Sequence, residues 1–499
     1  MKSDSIKTVA KTFALTALCG TGLHASAAEK PNVILIMADD LGVGDVGCYG
    51  SVKIKTPNLD RLASEGLRAL NANATASVCT PSRYAILTGT YYHQGWNGEL
   101  LVKPGQPTIA SVLHDNGYAT GLFGKWHLGW GKNSPNRKFR ADIDWNQELP
   151  AGVLECGFDT FFGTPFTFNE APSVFVHDRQ VVGLESEDPL VVPPDSKKGF
   201  GRSTGAKKAH AMRPESEIDL MVTKQAQQWL AEHHSKPFFL NLALAAPHVP
   251  INPSEEFRGK SGAGLYGDFV EQMDWCVGQI LQTLKECGVE SNTLIIFTSD
   301  NGAVISKDMI AQGHRSNLNW LGQKTDVWEG GHRQPLIVRW PGKVPAGTTT
   351  DAMISLADIV RTVWDAAGVK APEGAAKDSI SQLSVWAKPD SPPVRKEMIF
   401  SATGGLALRS GDWVYIPKQG SCGITTTPNG WGLHLKDMGQ TNSDYDAQGN
   451  LKADAPKEQL YNLQKDPSQS QNVVRDYPEK AREMAAQLEQ RKATLYSGD

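Results

Sequence analysis

The sequence contains little cysteine, no marked excess of charge of either sign and almost no long apolar run. Its 499 residues include seven cysteines at wide, irregular spacings. These spacings resemble neither those of a disulfide framework nor those of a zinc site. The net charge of −4 does not favour nucleic acid as a partner. Outside one N-terminal segment, no apolar run is long enough to span a bilayer. The remaining composition is that of a globular protein large enough for more than one domain.

The N-terminal segment has the pattern of a secretory signal peptide. Three lysines precede a short apolar core, and an Ala-Ser-Ala sequence ends at Ala27. The apolar core is too short for a transmembrane anchor. We therefore predict that residues 1–28 are removed on export, which places the mature protein in the periplasm or outside the cell.

Several short apolar runs end in polar residues and alternate with helical patterns. Continuous apolar runs of this length are typical of strands buried on both faces of a parallel sheet. Four such runs span residues 33–37, 119–123, 238–244 and 294–298, with helical patterns at 217–232 and 269–287. We predict an α/β fold with a large, mostly parallel sheet flanked by helices. Polar residues just past the strand ends would then form one pocket.

The character of the sequence changes after about residue 370. Residues 29–370 carry the strand and helix pattern and are predicted to form the catalytic domain. Residues 371–396 are rich in Pro, Ala, Ser and charge and are interpreted as a linker. Residues 397–499 are predicted to form a smaller C-terminal α+β subdomain, with a small antiparallel sheet and a terminal helix that starts at Pro478.

The segment Cys79-Thr80-Pro81-Ser82-Arg83 combines a nucleophile with a predicted helix start. Pro81 fits the first turn of a helix because it has a fixed φ and no N–H. Cys79 would then lie at the positive end of the helix, where backbone N–H groups attract an oxyanion. Taken alone, the same pattern would fit a structural cysteine before an ordinary helix.

Two polar pairs supply oxygen ligands at predicted strand ends. Asp39 and Asp40 follow the first apolar run, and Asp300 and Asn301 follow the last. Such oxygen sets suit Ca²⁺ or Mg²⁺ far better than Zn²⁺. A single pair of this kind would more often be a turn or a helix cap.

Three further motifs carry cationic or titratable side chains. Lys125 and His127 lie in Gly-Lys-Trp-His-Leu-Gly, His248 lies in Pro-His-Val-Pro, and Lys324 lies in Gly-Gln-Lys-Thr-Asp-Val-Trp-Glu-Gly-Gly. A lone His or Lys is usually structural or solvated. In their order, however, these motifs resemble those of the type I, formylglycine-dependent sulfatases of the alkaline-phosphatase-like superfamily. The resemblance spans residues 31–365, with a weaker match at 458–467. Within the family, the overall pattern of motifs resembles that of the arylsulfatase A and N-acetylgalactosamine-6-sulfatase types.

The resemblance implies a nucleophile made from Cys79. A formylglycine-generating maturation enzyme would oxidise Cys79 to formylglycine (3-oxoalanine), and one hydroxyl of its hydrate would attack sulfur. His127 would help to remove the proton of the second hydroxyl so that sulfate is expelled, which a serine could not achieve in this way. His248, with Lys324, would protonate the leaving oxygen.

The resemblance also implies an electrostatic clamp for the sulfate group. Arg83, Lys125 and Lys324 would place positive charge where the sulfuryl oxygens lie. A Ca²⁺ ion would be held by the four oxygen ligands described above together with residue 79. The residues themselves do not separate Ca²⁺ from Mg²⁺.

The expected substrate is a sulfated carbohydrate or an aryl sulfate. His314, Arg315 and Asn317 precede the Lys324 motif and are predicted to border the substrate pocket. The basic stretch 132–214 either grips a polyanionic glycan or is a solvated surface loop. Two other functions stay open: a phosphonate monoester or phosphodiester hydrolase of the same superfamily, and an inactive secreted glycan-binding or calcium-binding homologue.

Overall fold

The structure is a computed structural model. It describes the following residues: 30–92, 100–131, 143–167, 172–187, 189–190, 215–425 and 433–496. The predicted signal peptide and much of the basic stretch 132–214 lie outside the described residues. Within the described ranges, no helix combines the length and the apolar character needed to cross a membrane.

Strands make up the centre of the predicted catalytic domain and a separate C-terminal sheet. In chain order they are β1 (Asn32–Ala38), β2 (Leu67–Ala69), β3 (Ala72–Asn73), β4 (Ala119–Lys125), β5 (Thr160–Thr164), β6 (Val176–His177), β7 (Gln180–Val181), β8 (Phe238–Ala243), β9 (Thr293–Ser299), β10 (Leu336–Arg339), β11 (Thr348–Thr350), β12 (Ile354–Ser355), β13 (Glu397–Ala402), β14 (Gly405–Ser410), β15 (Trp413–Ile416) and β16 (Gln459–Asn462).

The main sheet has ten strands in the order β11-β2-β10-β9-β1-β8-β4-β5-β6-β7. Its centre, from β9 to β5, is parallel, whereas β10, β6 and β7 run antiparallel to their neighbours. The predicted mostly parallel sheet is therefore confirmed. The carboxyl ends of β9, β1, β8 and β4 lie side by side at one edge.

Helices cover both faces of this sheet. In chain order the α-helices of the described residues are α1 (Pro57–Ser64), α2 (Cys79–Thr88), α3 (Ile109–Asp115), α4 (Ile218–His233), α5 (Gly264–Glu286), α6 (Lys307–Ala311), α7 (Glu329–His332), α8 (Asp358–Ala366), α9 (Leu383–Ala387) and α10 (Pro478–Tyr496). Of these, α2, α3 and α8 lie on one face of the sheet, and α1, α4 and α5 lie on the other.

The strand β1 shows why the sequences of the central strands are continuous apolar runs. Val33 and Leu35 pack in the core beneath α2, α3 and α8, whereas Ile34 and Ile36 pack in the core beneath α1, α4 and α5. Alternate side chains of a strand point to opposite faces, so both faces must be apolar here. Burying each such side chain contributes about 1.5–3 kcal/mol.

The C-terminal sheet has the order β13-β14-β15-β16 and is antiparallel throughout. On one face it packs against Ala481, Met484 and Leu488 of α10, as the spacing of these residues predicts. On the other face it packs against Leu321 and Trp328 of the catalytic domain. The predicted smaller α+β subdomain is confirmed by this arrangement.

The segment 371–396, interpreted as a linker from its composition, packs against the catalytic domain. It contains α9, and Trp386 within it is fully buried. Arg395 donates from Nε to Asp358 Oδ2 at 2.8 Å, at the start of α8. A buried, bidentate ion pair of this kind fixes the approach to the C-terminal subdomain. The domain boundaries themselves stay predictions.

Candidate active site

The polar residues predicted at four strand ends converge at one edge of the main sheet. Asp39 and Asp40 follow β1, and Asp300 and Asn301 follow its neighbour β9. All four are at least 97% buried. The register holds them together, because Asp300 N donates to Ala38 O at 3.3 Å, and Asp40 N donates to Asp300 Oδ1 at 3.2 Å.

Two of the buried carboxylates are paired with cations from other elements. Lys125 Nζ, at the end of β4, lies 2.5 Å from Asp39 Oδ2. Arg83, on α2, donates from Nε to Asp300 Oδ2 at 2.9 Å and from Nη1 to Lys125 O at 3.2 Å. Burial alone would raise the pKa of Asp39, but Lys125, His248 and Arg83 together hold it well below its usual value.

The third carboxylate, Asp40, is held by Lys324. Lys324 Nζ lies 2.7 Å from Asp40 Oδ1 and 2.8 Å from Oδ2. Asn301 Nδ2 also donates to Asp40 Oδ1, at 2.8 Å. Burial opposes the charge on Lys324, but Asp40, together with Cys79, Asp39 and Asp300, outweighs burial and raises the pKa of the ammonium group. Lys324 is therefore a fixed positive charge.

This cluster fits a hard divalent cation. The buried oxygens Asp39 Oδ1 and Asn301 Oδ1 accept no hydrogen bond from the part of the chain that the structure describes. Burial and the neighbouring Asp39 carboxylate raise the pKa of Asp300 to about 7, although Arg83 opposes this. One donor atom each from Asp39, Cys79 and Asp300 lies within 4.8 Å of the others. Clustered carboxyl and amide oxygens are the ligands that Ca²⁺ and Mg²⁺ prefer.

Cys79 is the first residue of α2 and lies beside His127. Its Sγ is 3.4 Å from His127 Nδ1, and Thr80 Oγ1 is at the same distance from that nitrogen. In a converted protein, Sγ stands for an oxygen of the hydrated aldehyde. Burial raises the pKa of the thiol, and Lys125 and Lys324 oppose this rise. The unmodified thiol is therefore poorly disposed to act as a thiolate nucleophile.

His248 approaches the cluster from the turn after β8. Its Nδ1 is 2.6 Å from Val249 O, which assigns the proton to Nδ1 in the neutral ring. Its Nε2 faces Asp40 Oδ2 at 3.8 Å. Burial and Lys324 lower the pKa of His248, against the opposing effect of Asp39. The structure thus brings together every residue predicted from the sequence as catalytic or metal-binding.

The three predicted substrate residues have different surroundings. His314 is buried, with Nε2 2.6 Å from Asp45 Oδ1. Asn317 accepts from Ala303 N at 3.0 Å and donates to Ala303 O at 3.1 Å. Arg315 is exposed. The side chains of His314 and Asn317 therefore stabilise loops through hydrogen bonds within the protein. A role of the three residues in substrate binding stays a prediction.

Two buried carboxylates near the site were not identified from the sequence: Asp219 lies outside the motifs, and Asp326 lies inside the Lys324 motif without an assigned role. Asp219, in the first turn of α4, accepts from Ala245 N at 2.6 Å and Ala246 N at 2.9 Å. Asp326 accepts from Gln323 N at 3.0 Å, and burial raises its pKa to about 7. The helical pattern places Asp219 at the start of α4, but only the structure shows what it contacts.

Comparisons with known proteins agree with this geometry. The family model described as Sulfatase matches residues 31–369. The N-acetylgalactosamine-6-O-sulfatase of Bacteroides thetaiotaomicron is 34% identical over 92% of this chain and 93% of its own length. Human steryl-sulfatase is 37% identical over 70% of this chain and 68% of its own. A solved sulfatase from work on glycosaminoglycan metabolism by Bacteroides thetaiotaomicron has a TM-score of 0.81 at 34% identity, covering 93% of this chain and all of that one.

Proposed function

This chain belongs to the sulfatase family and is a sulfuric ester hydrolase, and we propose that it acts on a sulfated carbohydrate through a formylglycine formed from Cys79. The observation that carries the mechanism is the position of Cys79. It lies at the N-terminus of α2, against His127 and within one buried cluster of cations and carboxylates. The observation that favours a carbohydrate is the relative named N-acetylgalactosamine-6-O-sulfatase, which matches nearly the whole chain.

The charges of the cluster suit a monoanionic ester once a divalent cation is added. With Asp300 ionised, which a bound cation favours, the three carboxylates Asp39, Asp40 and Asp300 balance the three cations described above, so the protein side chains sum to zero. A bound Ca²⁺ or Mg²⁺ would leave a net charge of +2 facing the sulfate and would polarise its oxygens. Asp39, Asp40, Asp300, Asn301 and residue 79 would hold the ion.

The side chains around the cluster divide the proton transfers between two histidines. His127 Nδ1 faces residue 79 and is placed to take a proton from its hydroxyl. His248 Nε2 lies near Asp40 Oδ2, and in its protonated, imidazolium form the ring would give the Nε2 proton to the departing sugar oxygen and return to the neutral form with its proton on Nδ1. Arg83, Lys125 and Lys324 would orient the sulfuryl oxygens.

Export and maturation complete the proposal. The signal-peptide pattern of residues 1–28 supports a periplasmic or secreted location. Conversion of Cys79 requires a formylglycine-generating maturation enzyme as a partner. The intact Cys-Thr-Pro-Ser-Arg sequence supports its recognition.

The test is the mass of residue 79 together with the ester preference. Trypsin should release residues 69–83, and in active preparations this peptide should contain the aldehyde or its hydrate. A preparation made without a maturation enzyme is the matched control, since it should keep the cysteine and lose activity. Cys79→Ala should be inactive in both.

The substrate class is tested on matched esters. kcat/KM should be far higher for 4-nitrophenyl sulfate and sulfated monosaccharides than for the corresponding phosphate monoesters, phosphodiesters and phosphonates. Full sulfatase activity with unmodified Cys79 would refute the nucleophile. A preference for phosphodiesters or phosphonates would refute the substrate class.

A further inference from the structure

The turn that carries His248 is held by one buried carboxylate on a different element. Asp219 Oδ1 accepts from Ala245 N, and Oδ2 accepts from the next amide, Ala246 N. The side chain is 1% exposed. Both oxygens are therefore used on two consecutive N–H groups, an arrangement that fixes the orientation of the turn as well as its distance.

The same turn is tied to the rest of the site by its own backbone. His248 N donates to Ala245 O at 3.0 Å, so the first clamped residue directly supports the histidine. Ala246 O accepts from Asp39 N at 3.1 Å, which joins the second clamped residue to the carboxylate cluster. A shift of the turn would thus move His248 relative to the sulfate site.

We propose that Asp219 is a positioning residue for the leaving-group proton: its carboxylate fixes the Ala245–His248 turn and so aims His248 at the departing oxygen. This inference rests on the proposed role of His248 as general acid. Asp219 itself touches no reacting atom. Its contribution should therefore appear where the proton of His248 matters, which is with poor leaving groups.

Asp219→Asn removes one of the two acceptors with little change in volume. The amide oxygen can accept from one backbone N–H, but the amide nitrogen is a donor and would face the other N–H. The turn should therefore reorient while α4 stays folded. A small displacement of a proton donor is enough to reduce its effect on rate.

Asp274 offers a matched control for this variant. It is also a buried aspartate, 2% exposed, and it accepts from two consecutive amides, Asn58 N at 3.1 Å and Leu59 N at 2.9 Å. Burial raises the pKa of Asp219 and of Asp274 alike to about 6. The amides clamped by Asp274, however, begin α1 and do not carry His248. Asp274→Asn should therefore lose stability as Asp219→Asn does, but it should not change how strongly the rate depends on the leaving group.

The experiment compares mature wild type, His248→Ala, Asp219→Asn and Asp274→Asn on two aryl sulfates. 4-Nitrophenyl sulfate has a good leaving group, and 4-methoxyphenyl sulfate has a poor one. We expect kcat/KM of Asp219→Asn to fall about tenfold or more on the methoxyphenyl ester and less than about threefold on the nitrophenyl ester. For His248→Ala the loss of kcat/KM on the methoxyphenyl ester should exceed the loss on the nitrophenyl ester by a still larger factor. For Asp274→Asn the losses on the two esters should be equal. Bound metal, measured by elemental analysis, should match the wild type in all four proteins.

Each other outcome has one meaning. Equal losses for Asp219→Asn on both esters, or a loss of bound metal, would overturn the positioning role while His248→Ala still supports the general acid. Equal losses for His248→Ala on both esters would overturn the general acid itself, and the role of Asp219 with it. A greater loss on the methoxyphenyl ester in Asp274→Asn as well would contradict the positioning role. It would show that removing any buried aspartate of this kind causes the difference, whatever the orientation of His248.

Discussion

Asp300 is the residue on which the charge balance of the site depends most directly. It is fully buried, pairs with Arg83 and lies close enough to Asp39 for the two carboxylates to repel each other. Burial and this repulsion raise its pKa to about 7 when no ion is bound. A divalent cation would relieve the repulsion, so the affinity for metal and the charge on Asp300 are linked.

We predict that Asp300→Ala loses bound metal and stability together. The variant removes an oxygen ligand and leaves the buried Arg83 without its closest carboxylate. Activity should fall by about 10²-fold or more, since one missing ligand also displaces the nucleophile. Elemental analysis and thermal unfolding with and without added Ca²⁺ measure both effects. Added Ca²⁺ should raise the Tm of the wild type more than that of the variant.

The control for this prediction is Asp358→Ala, which breaks a different buried Asp–Arg pair. Asp358, at the start of α8, binds Arg395 of the segment 371–396 and lies outside the carboxylate cluster. This variant should lose stability but keep its bound metal. Stoichiometric zinc in active wild type, or full activity without any metal, would contradict the assignment.

Arg83 gives a second prediction at the scale of single residues. It contacts Asp300 and Lys125 O and lies on α2 one turn after Cys79, whereas His248 lies on the turn after β8. Arg83→Ala should therefore lower kcat/KM for the hydrolysis of 4-nitrophenyl sulfate and of a sulfated sugar by similar factors. His248→Ala, in contrast, should lower it much more for the sugar. The two kcat/KM ratios measure this directly. A loss confined to the sugar would assign Arg83 to the leaving group instead.

At the scale of elements, the short helix α7 joins the catalytic domain to the C-terminal sheet. Glu329 on α7 lies between Arg333, whose Nε donates to it at 2.9 Å, and Arg409 of β14, whose Nη1 is 3.8 Å away. Burial opposes its charge, but the two arginines outweigh this and lower the pKa of Glu329 from 4.5 to about 2. One carboxylate thus compensates two buried cations from two domains.

We predict that Glu329→Gln destabilises the protein by about 3 kcal/mol at neutral pH, since the lowered pKa corresponds to about that free energy. Because the pKa is lower in the folded state, this stability is complete above the unfolded pKa of 4.5. It is lost as the pH falls towards about 2. The difference in Tm between wild type and variant should therefore be largest at pH 5–7 and shrink towards pH 3.

The exposed pair Glu479–Arg482 on α10 is the control. Glu479→Gln should leave Tm unchanged at every pH, because solvent screens such a pair. A Tm difference for Glu329→Gln that does not depend on pH would contradict the ionic explanation.

At the scale of the whole molecule, the C-terminal subdomain supports the loop that carries Lys324. Ile424 N donates to Thr325 Oγ1 at 2.8 Å, and Val327 N donates to Ser421 O at 2.7 Å. Gly423 lies so close that a Cβ there would stand 2.3 Å from Thr325 O. The residues after Lys324 thus owe their position to a segment about one hundred residues further along the chain.

We predict that a chain ending at residue 396 is inactive and aggregates or is rapidly proteolysed. It would expose Leu321 and Trp328 and release the Lys324 loop. A chain ending at Asp476 lacks only α10 and keeps the loop contacts, so it should retain activity at reduced stability. Solubility, limited proteolysis and hydrolysis of 4-nitrophenyl sulfate compare the two. A soluble, fully active chain of 396 residues would contradict this account.

Much of this molecule could be predicted from the sequence because the signals are local. Apolar runs identify β1, β4, β8 and β9, and the polar residues after them lie at one edge in any parallel sheet. The residues for catalysis and metal binding could be named because their short motifs resemble those of the sulfatase family. The period of apolar residues in α10 likewise follows from its own sequence.

The remaining features depend on contacts between distant segments, and only the tertiary structure decided them. Asp219 carries no motif, and its proposed role rests on hydrogen bonds to two amides 26 and 27 residues away. His314 stands in a suggestive sequence position, yet it pairs with Asp45, 269 residues earlier in the chain. Composition and spacing report how a segment folds, whereas the partner of a buried side chain is set by which elements pack together. The sequence therefore determined the kind of site, and the fold determined which side chains support it.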